Sequence, residues 1–143
     1  MDDAAAAEVR TELVDLTEDE CWQRLRAGTV GRVAVNVGTA PDVFPVNYAV
    51  RADEIVIHTE AGTKLAAATL MPSVAFEIDA IDGTTRTGWS VVAKGPGREP
   101  TSLEELVELD ELGVVPWVSS PKSRWLVITP TQVTGRRIDS LSS

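Results

Sequence analysis

The chain has 143 residues, 43% of them hydrophobic, which is enough apolar material for the core of one ordinary domain. Its formal net charge of −9 argues against nucleic acid as a partner, because an acidic surface cannot neutralise phosphates. With one cysteine and one histidine, the chain can form neither an internal disulfide nor a zinc cluster or multi-histidine site, so we predict no metal.

The N-terminal region predicts a cytoplasmic protein with no membrane partner. No apolar run approaches the length that spans a bilayer, and the first residues are acidic where a signal peptide would be basic. Residues 1–15 mix alanine with acidic residues without strong periodicity, which predicts a flexible acidic arm. A single domain is expected over residues 16–139, followed by a tail at 140–143.

The first regular element is predicted to be a helix over residues 18–27. Thr17 and Glu20 stand at the spacing of a capping box, and Gly28 closes the segment. From residue 29 onward the apolar residues recur with a period of two and are interrupted by turn residues, which predicts strands. The segments with this pattern are Val33–Val37, Phe44–Val50, Ile55–Thr59, Val74–Asp79, Gly88–Gly95, Arg124–Thr129 and Gln132–Ile138.

Two further short helices interrupt the strands. Residues 62–71 are rich in helix formers and stop before Pro72. Residues 102–112 form an acidic amphipathic segment, and the residues expected to face inward are Leu103, Leu106, Leu109 and Val107. Seven short strands with mostly tight connections favour a closed or nearly closed antiparallel barrel over a parallel sheet. The predicted fold class is therefore mainly β with short helices, an α+β arrangement built on a β-barrel.

A phosphate site is predicted where the third strand passes into the helix that follows it. The first turn of a helix offers unpaired N–H groups, Thr59 and Thr63 add hydroxyl donors, and Lys64 adds a positive charge. The alternative is an ordinary helix cap, because the segment is not a Walker loop. Outside residues 1–20 and 101–111 the chain carries a net charge of +3, which suits an anionic cofactor.

Other candidate residues have two readings when they are judged by pattern alone. His58 could act as a general acid or base, yet no nucleophile is recognisably paired with it, and a strand-end histidine is commonly structural. Trp117 stands in a proline-flanked loop that ends in Lys122, a setting typical of a residue that covers an interface or a ligand. The pair Arg136-Arg137 is either an ordinary solvated pair or is directed at a phosphate bound by a partner subunit.

Taken as a series, several segments resemble the pyridoxamine 5′-phosphate oxidase-like family, and within it the short actinobacterial members of the flavin and deazaflavin oxidoreductases. The likeness extends from about Leu16 to Arg137, and the order of the segments is more specific than any one of them. The segments that carry it are Val30–Val35, Phe44–Tyr48, His58–Ala66, Gly88–Gly95 and Ile128–Arg137.

The resemblance implies an FMN-binding split-barrel fold, a homodimer with two equivalent sites at its interface, and FMN as the cofactor. The strand at Phe44–Tyr48 would run beside the flavin ring, the segment from Thr59 to Lys64 would bind its phosphate, and the C-terminal arginines would reach across from the second subunit. Together with the candidates found by pattern, the predicted cofactor-binding residues are Pro45, Val46, Asn47, His58, Thr59, Thr63, Lys64, Trp89, Ser90, Trp117, Lys122, Arg136 and Arg137.

The chain departs from true pyridoxamine phosphate oxidases in two places. Lys64 is followed by Leu65 where those enzymes carry a second basic residue, and no histidine follows His58, so their histidine-containing substrate motif is absent. Oxidation of vitamin B6 is therefore not expected.

The implied function is hydride transfer between a nicotinamide or small organic substrate and FMN. No catalytic side chain is assigned, because the flavin performs the redox step and the protein supplies placement. One alternative is a reductase that uses the deazaflavin F420, although its longer acidic tail calls for a wider basic groove. The other alternative is a non-catalytic flavin- or haem-binding protein.

Overall fold

In a computed structural model, residues 9–60, 67–117 and 123–141 are described. None of the described helices combines the length and the apolar composition that crossing a bilayer requires. Residues 67–70 are helical. The other elements, in chain order, are β1 (Thr11–Asp15), α1 (Glu18–Ala27), β2 (Val30–Val37), β3 (Ala40–Arg51), β4 (Glu54–Thr59), β5 (Val74–Asp82), β6 (Thr87–Gly95), β7 (Gly97–Arg98), α2 (Leu103–Asp110), β8 (Arg124–Ile128) and β9 (Gln132–Ser140).

The strands form one sheet in the order β1-β9-β6-β5-β2-β3-β4-β8-β7, and all neighbouring pairs are antiparallel. The predicted fold class is confirmed, because the described chain is mainly antiparallel β with short helices. The described sheet has nine strands rather than about seven, and its end strands do not pair with each other, so it is open. The two additional strands, β1 and β7, are short edge strands, which give little periodic signal in a sequence.

The prediction of a flexible arm is wrong for its C-terminal part. Thr11–Asp15 form β1, which pairs with β9 over the stretch from Arg136 to Ser140. This strand contains two adjacent apolar residues, Leu13 and Val14, and therefore lacks the alternation that marks a half-buried strand. Its partner lies more than a hundred residues away along the chain, so no local pattern could indicate the pairing.

One face of the sheet, here called the inner face, encloses the main core. Alternate strand residues point into it, among them Val46 and Tyr48 of β3 and Phe76 of β5. Phe76 is fully buried and meets the ring of Tyr48 edge-on, with the ring centroids 4.8 Å apart. Because each fully buried apolar side chain of this size contributes about 1.5–3 kcal/mol, this core is the main source of stability.

The helix α1 packs against the main core over the predicted residues 18–27. Its capping box is present: Thr17 N–H donates to Glu20 Oε1 at 2.8 Å, and Glu20 N–H donates to Thr17 Oγ1 at 3.1 Å. Cys21 and Leu25 are fully buried, and a Cβ at Gly135 of β9 would lie 2.8 Å from the Cys21 sulfur. Glycine at this position therefore allows the close approach of α1 to β9. Burial also raises the pKa of the Cys21 thiol, so the side chain acts as a small hydrophobic group.

The opposite face of the sheet, here called the outer face, carries α2 and a second, smaller core. Leu109 of α2 packs with Val56, Trp125 and Val127, which lie on β4 and β8. Leu103 and Val107 were expected to face inward, but they are 78% and 52% exposed. The helix has only eight residues and packs on the sheet through Leu109 and the partly buried Leu106, so Leu103 and Val107 point to solvent.

Ion pairs attach α2 to the sheet as well. Glu105 Oε2 lies 2.8 Å from an Arg51 nitrogen of β3 and 2.6 Å from an Arg98 nitrogen of β7. Arg51 also contacts Glu54 on β4 at 2.8 Å. These two arginines hold the acidic helix against the edge of the outer face.

Candidate functional site

The first group of predicted site residues lies on the outer face of β3 and β4. Asn47 pairs with His58, and His58 pairs with Trp125 of β8, so their side chains form a row across three strands. Val46 alternates with Asn47 and is buried in the main core, so it can offer only its backbone to a ligand on the outer face. Pro45 is exposed and lies two residues before Asn47, on the same face of β3.

The imidazole of His58 is held in one orientation. Its Nδ1 lies 2.8 Å from the backbone oxygen of Val114, and its ring stacks on Trp125 with centroids 3.9 Å apart and 9° between the planes. Because a carbonyl oxygen only accepts hydrogen bonds, Nδ1 carries the proton in the neutral ring. Nε2 is then an acceptor, so the fixed ring can bind a ligand N–H.

The segment from Val114 to Trp117 is fastened to the same row. The backbone N–H of Trp117 donates to Asn47 Oδ1 at 2.9 Å, and Val114 accepts the bond from His58. Gly113 has a φ of +72°, and this left-handed turn leads the chain from α2 into the segment. The Trp117 indole is 80% exposed. The segment thus presents a flat aromatic surface next to two polar groups. The amide nitrogen of Asn47 is a donor, and Nε2 of His58 is an acceptor.

The predicted phosphate site is described in part. Thr59 ends β4, is buried and pairs with Arg124 of β8, which is ion-paired with Glu99. Thr63, Lys64 and Lys122 lie outside the described residues, and their part in a phosphate site stays a prediction.

The second group of predicted residues lies on β6 and β9, and the sheet divides it between the two faces. Ser90 and Arg136 pair on the outer face, whereas Trp89 and Arg137 pair on the inner side. The Arg24 guanidinium of α1 lies over the Trp89 ring, 4.6 Å from its centroid. Arg137 is ion-paired with a carboxylate of α1 and with one of its own strand. A ligand on the outer face can therefore contact Ser90 and Arg136 directly, but not the side chains of their neighbours.

A groove of about 420 Å³ opens beside Ser90 and Arg136. Its lining also includes Val92, Thr134 and Asp15, and Asp15 lies opposite Arg136 in the β1–β9 pairing. The groove therefore combines hydroxyl groups with one cation and one carboxylate, a lining that suits a polar ligand.

An ion cluster that sequence reasoning missed lies between the two groups. Arg32 of β2 donates to Glu77 Oε1 at 3.0 Å and to Asp79 Oδ2 at 2.6 Å. Burial raises the pKa of Glu77, and so does its hydrogen bond with Asp79. That same bond, together with Arg32, lowers the pKa of Asp79, so Glu77 is the carboxyl that takes up a proton first. Glu77 alternates with the buried Phe76, which marks it as outward-facing, but no local signal pairs it with Arg32, 45 residues away.

Within one chain the two groups are too far apart for a single ring system to touch both. β5 and β2 separate β6 from β3, so Ser90 and Asn47 are three strand spacings apart, roughly 14 Å along the sheet. Five spacings, about 24 Å, separate Arg136 of β9 from His58 of β4. The structure therefore brings Asn47, His58 and Trp117 together, and it brings Ser90 and Arg136 together at a second place.

These features define an antiparallel β protein of the split-barrel class, with ligand-competent groups on the outer face of its sheet. The sequence profile of the pyridoxamine 5′-phosphate oxidase family matches residues 17–137. The chain belongs to this family, which confirms the resemblance found in its sequence.

The relatives of this chain share most of its length. The uncharacterized protein Rv0080 of Mycobacterium tuberculosis is 32% identical over 139 residues, which are 94% of this chain and 91% of that protein. Among solved structures, a pyridoxamine 5′-phosphate oxidase candidate of Corynebacterium glutamicum is 34% identical with a TM-score of 0.78, covering 91% of this chain and 100% of that one. The FAD binding protein of Mycobacterium smegmatis is also 34% identical, with a TM-score of 0.74 and coverage of 87% and 97%.

Proposed function

We propose that this protein is a flavin-dependent oxidoreductase that acts as a homodimer and transfers hydride between a nicotinamide or small organic substrate and the flavin. The cofactor is FMN or a flavin that contains it. The observation that carries the proposal is the fixed row of Asn47 and His58 beside the exposed indole of Trp117. Further support comes from the Mycobacterium smegmatis relative, which is named for FAD binding.

The groups in this row suit a flavin ring. The ring system is flat, and its pyrimidine edge carries two carbonyl oxygens that accept hydrogen bonds and one N–H that donates. The Asn47 amide would donate to a carbonyl, Nε2 of His58 would accept the N–H, and the Trp117 indole would cover the ring. Both polar side chains are already held at their other atoms, so ligand binding costs little additional ordering.

When bound, a flavin accepts or donates hydride at its own ring, so no side-chain nucleophile is required. The role of this chain is to hold the ring, to exclude water and to leave room for the substrate. Pro45 adds an exposed apolar surface next to Asn47. The cofactor phosphate is assigned to Thr59, Thr63 and Lys64.

Two features support a second copy of the chain on the outer face. The two groups of site residues lie roughly 14 Å or more apart in one chain, and a partner could bring its Ser90 and Arg136 to the row of Asn47 on the first chain. The outer face also exposes large apolar side chains, with Val43 59% and Ile81 68% exposed. A second copy on this face would cover both side chains, which lie on different strands.

Purification followed by titration tests this proposal. The protein is expected to elute as a dimer and to bind FMN or FAD with quenching of its tryptophan fluorescence. The flavin-loaded protein is expected to oxidise NADH or NADPH in a steady-state assay. A colourless monomer that binds no added flavin would refute the proposal. Flavin binding without nicotinamide oxidation would indicate a non-catalytic carrier, and selective binding of F420 would indicate a deazaflavin reductase.

The phosphate assignment has its own test. Lys64→Ala is expected to weaken FMN binding at least about tenfold, because a charge-assisted contact worth about 1.5–3 kcal/mol is lost. Riboflavin lacks the phosphate and is the control ligand, so its affinity should be the same for both proteins. Equal FMN affinity of the variant and the parent would contradict the assignment.

A further inference from the structure

A second groove, about 310 Å³ in volume, opens on the outer face where β2 ends and β5 begins. We call it the Lys94 groove, and it is lined mainly by Ala34, Asn36, Met71, Ser73, Ala75 and Lys94. Its volume lies at the lower end of the range for small-molecule sites, roughly 300–1,000 Å³. None of its described lining residues was predicted to belong to a site.

The floor of the Lys94 groove is made of small side chains. Ala34 pairs with Ala75, and Ala75 pairs with Lys94, so two methyl groups and the lysine stem form a row across three strands. Met71 forms a wall and is fixed there, because the backbone N–H of Asn36 donates to its Sδ at 3.3 Å. Met71 also packs against the main core. The groove is therefore preformed, and its apolar floor suits a flat ring.

Three polar side chains stand around this floor. The Asn36 amide and the Ser73 hydroxyl can each donate and accept hydrogen bonds, which matches the mixed donors and acceptors of a purine edge. The described lining contains no acidic residue, so the charge of Lys94 is not compensated within the groove. An ammonium group in this position favours a ligand that carries a phosphate.

The Lys94 groove lies on the same face as the proposed flavin site. Arg32 pairs with Pro45 and Asn36 pairs with Pro41, so the groove begins four residues along β3 from Pro45, a distance of about 13 Å. A flavin mononucleotide at the row of Asn47 ends at its own phosphate. A dinucleotide flavin continues through a second phosphate to an adenosine and is long enough to reach the groove.

We propose that the Lys94 groove binds the adenosine half of a dinucleotide flavin, so that this protein selects FAD over FMN. The inference rests on the proposed function, because it requires the riboflavin half at the row of Asn47 and His58. Adenine lies on the floor formed by Ala34 and Ala75, the Asn36 amide pairs with its edge, and Lys94 binds the phosphate next to the adenosine.

Titration calorimetry with FMN, FAD and adenosine monophosphate tests this inference on the full-length protein. FAD is expected to bind at least about tenfold more tightly than FMN, since the second half adds a charge-assisted contact. Lys94→Gln and the groove-filling Ala75→Leu should each remove most of that preference and leave FMN affinity unchanged. The matched controls are Arg10→Gln and Ala27→Leu, which make the same kinds of change at exposed positions away from the groove.

Equal affinity for FMN and FAD in the parent protein would overturn the inference, and so would equal losses for both flavins in the two groove variants. Failure of the proposed function would look different, because neither flavin would then bind. In that case, binding of adenosine monophosphate tests the Lys94 groove by itself. If the parent protein binds adenosine monophosphate and Ala75→Leu abolishes this binding, the groove is an adenosine site. If the parent protein does not bind it at millimolar concentration, the assignment of the groove is refuted.

Discussion

The two helices are attached to the sheet by different forces. α1 packs through Cys21 and Leu25, both fully buried. α2 buries only Leu109 completely, and its Glu105 is ion-paired with arginines of β3 and β7. Apolar packing depends little on pH and salt, whereas ion pairs of this kind weaken in acid and at high ionic strength. The attachments of the two helices should therefore respond differently to solution conditions.

The candidate site depends on the second kind of attachment. α2 leads through Gly113 into the segment Val114–Trp117, which is bonded to His58 and Asn47. We expect that loss of the ion pairs loosens this segment before the barrel unfolds, because regions with few buried contacts open first. α1 thus belongs to the stable main core, whereas α2 belongs to the part of the molecule that is expected to open first.

The largest expected effect tests the apolar side of this contrast. Leu25→Ala should lower the free energy of unfolding by about 2–5 kcal/mol, because it leaves a cavity in the main core. The matched control is Leu103→Ala on α2, which is exposed and should change the free energy by no more than about 0.5 kcal/mol. Urea denaturation of both variants measures the difference, and comparable losses would show that α2 is packed as firmly as α1.

The next effect concerns the ion pairs. Glu105→Gln should cost about 1.5–3 kcal/mol, because Arg51 and Arg98 each lose the charge-assisted hydrogen bonds that they donate to this carboxylate. It should also weaken flavin binding, since the segment that carries Trp117 follows α2. The control is Glu108→Gln, whose more exposed carboxylate lies 3.6 Å from Arg51 and should contribute about 0.5 kcal/mol or less. Full flavin affinity in Glu105→Gln would mean that the site does not depend on α2.

The ion pairs of Glu105 with Arg51 and Arg98 also make the free energy of unfolding depend on pH. Hydrogen bonds from Arg98 and Arg51 lower the pKa of Glu105 from its ordinary 4.5 to about 2. Because the folded-state pKa is the lower one, the stabilisation is complete above pH 4.5 and is lost as the pH falls towards 2. The stability difference between the parent and Glu105→Gln should therefore shrink over this interval. A difference that stays constant down to pH 2 would contradict the assignment.

The smallest effect separates the two roles of Asn47. Asn47→Ala removes the acceptor for the backbone N–H of Trp117. It should lower the free energy of unfolding by about 1 kcal/mol and change the tryptophan fluorescence. Asn47→Asp keeps that acceptor but loses the amide donor, so it should weaken flavin binding without the same fluorescence change in the free protein. If Asn47→Asp bound flavin as well as the parent, Asn47 would only position Trp117.

Structural elements that a few neighbouring residues specify were predicted well from the sequence. The capping box fixed α1 at residues 18–27, and the alternation of apolar residues predicted β2 through β6, β8 and β9. The buried side of α2 was predicted less well, because Leu103 and Val107 fit a helical stripe but face solvent. The cofactor role of the site residues stays a prediction that the proposed titrations test.

The amino-acid sequence by itself determined the antiparallel β class, the strand segments and the family, because caps, turns and a period of two are encoded locally. Only the tertiary structure decided which residues share a face and which meet. Arg51 and Glu105 are 54 residues apart, and Asn47 and Trp117 are 70 residues apart. Contacts over such separations depend on strand order and register, and a change of register by one residue would move every side chain of a strand to the other face.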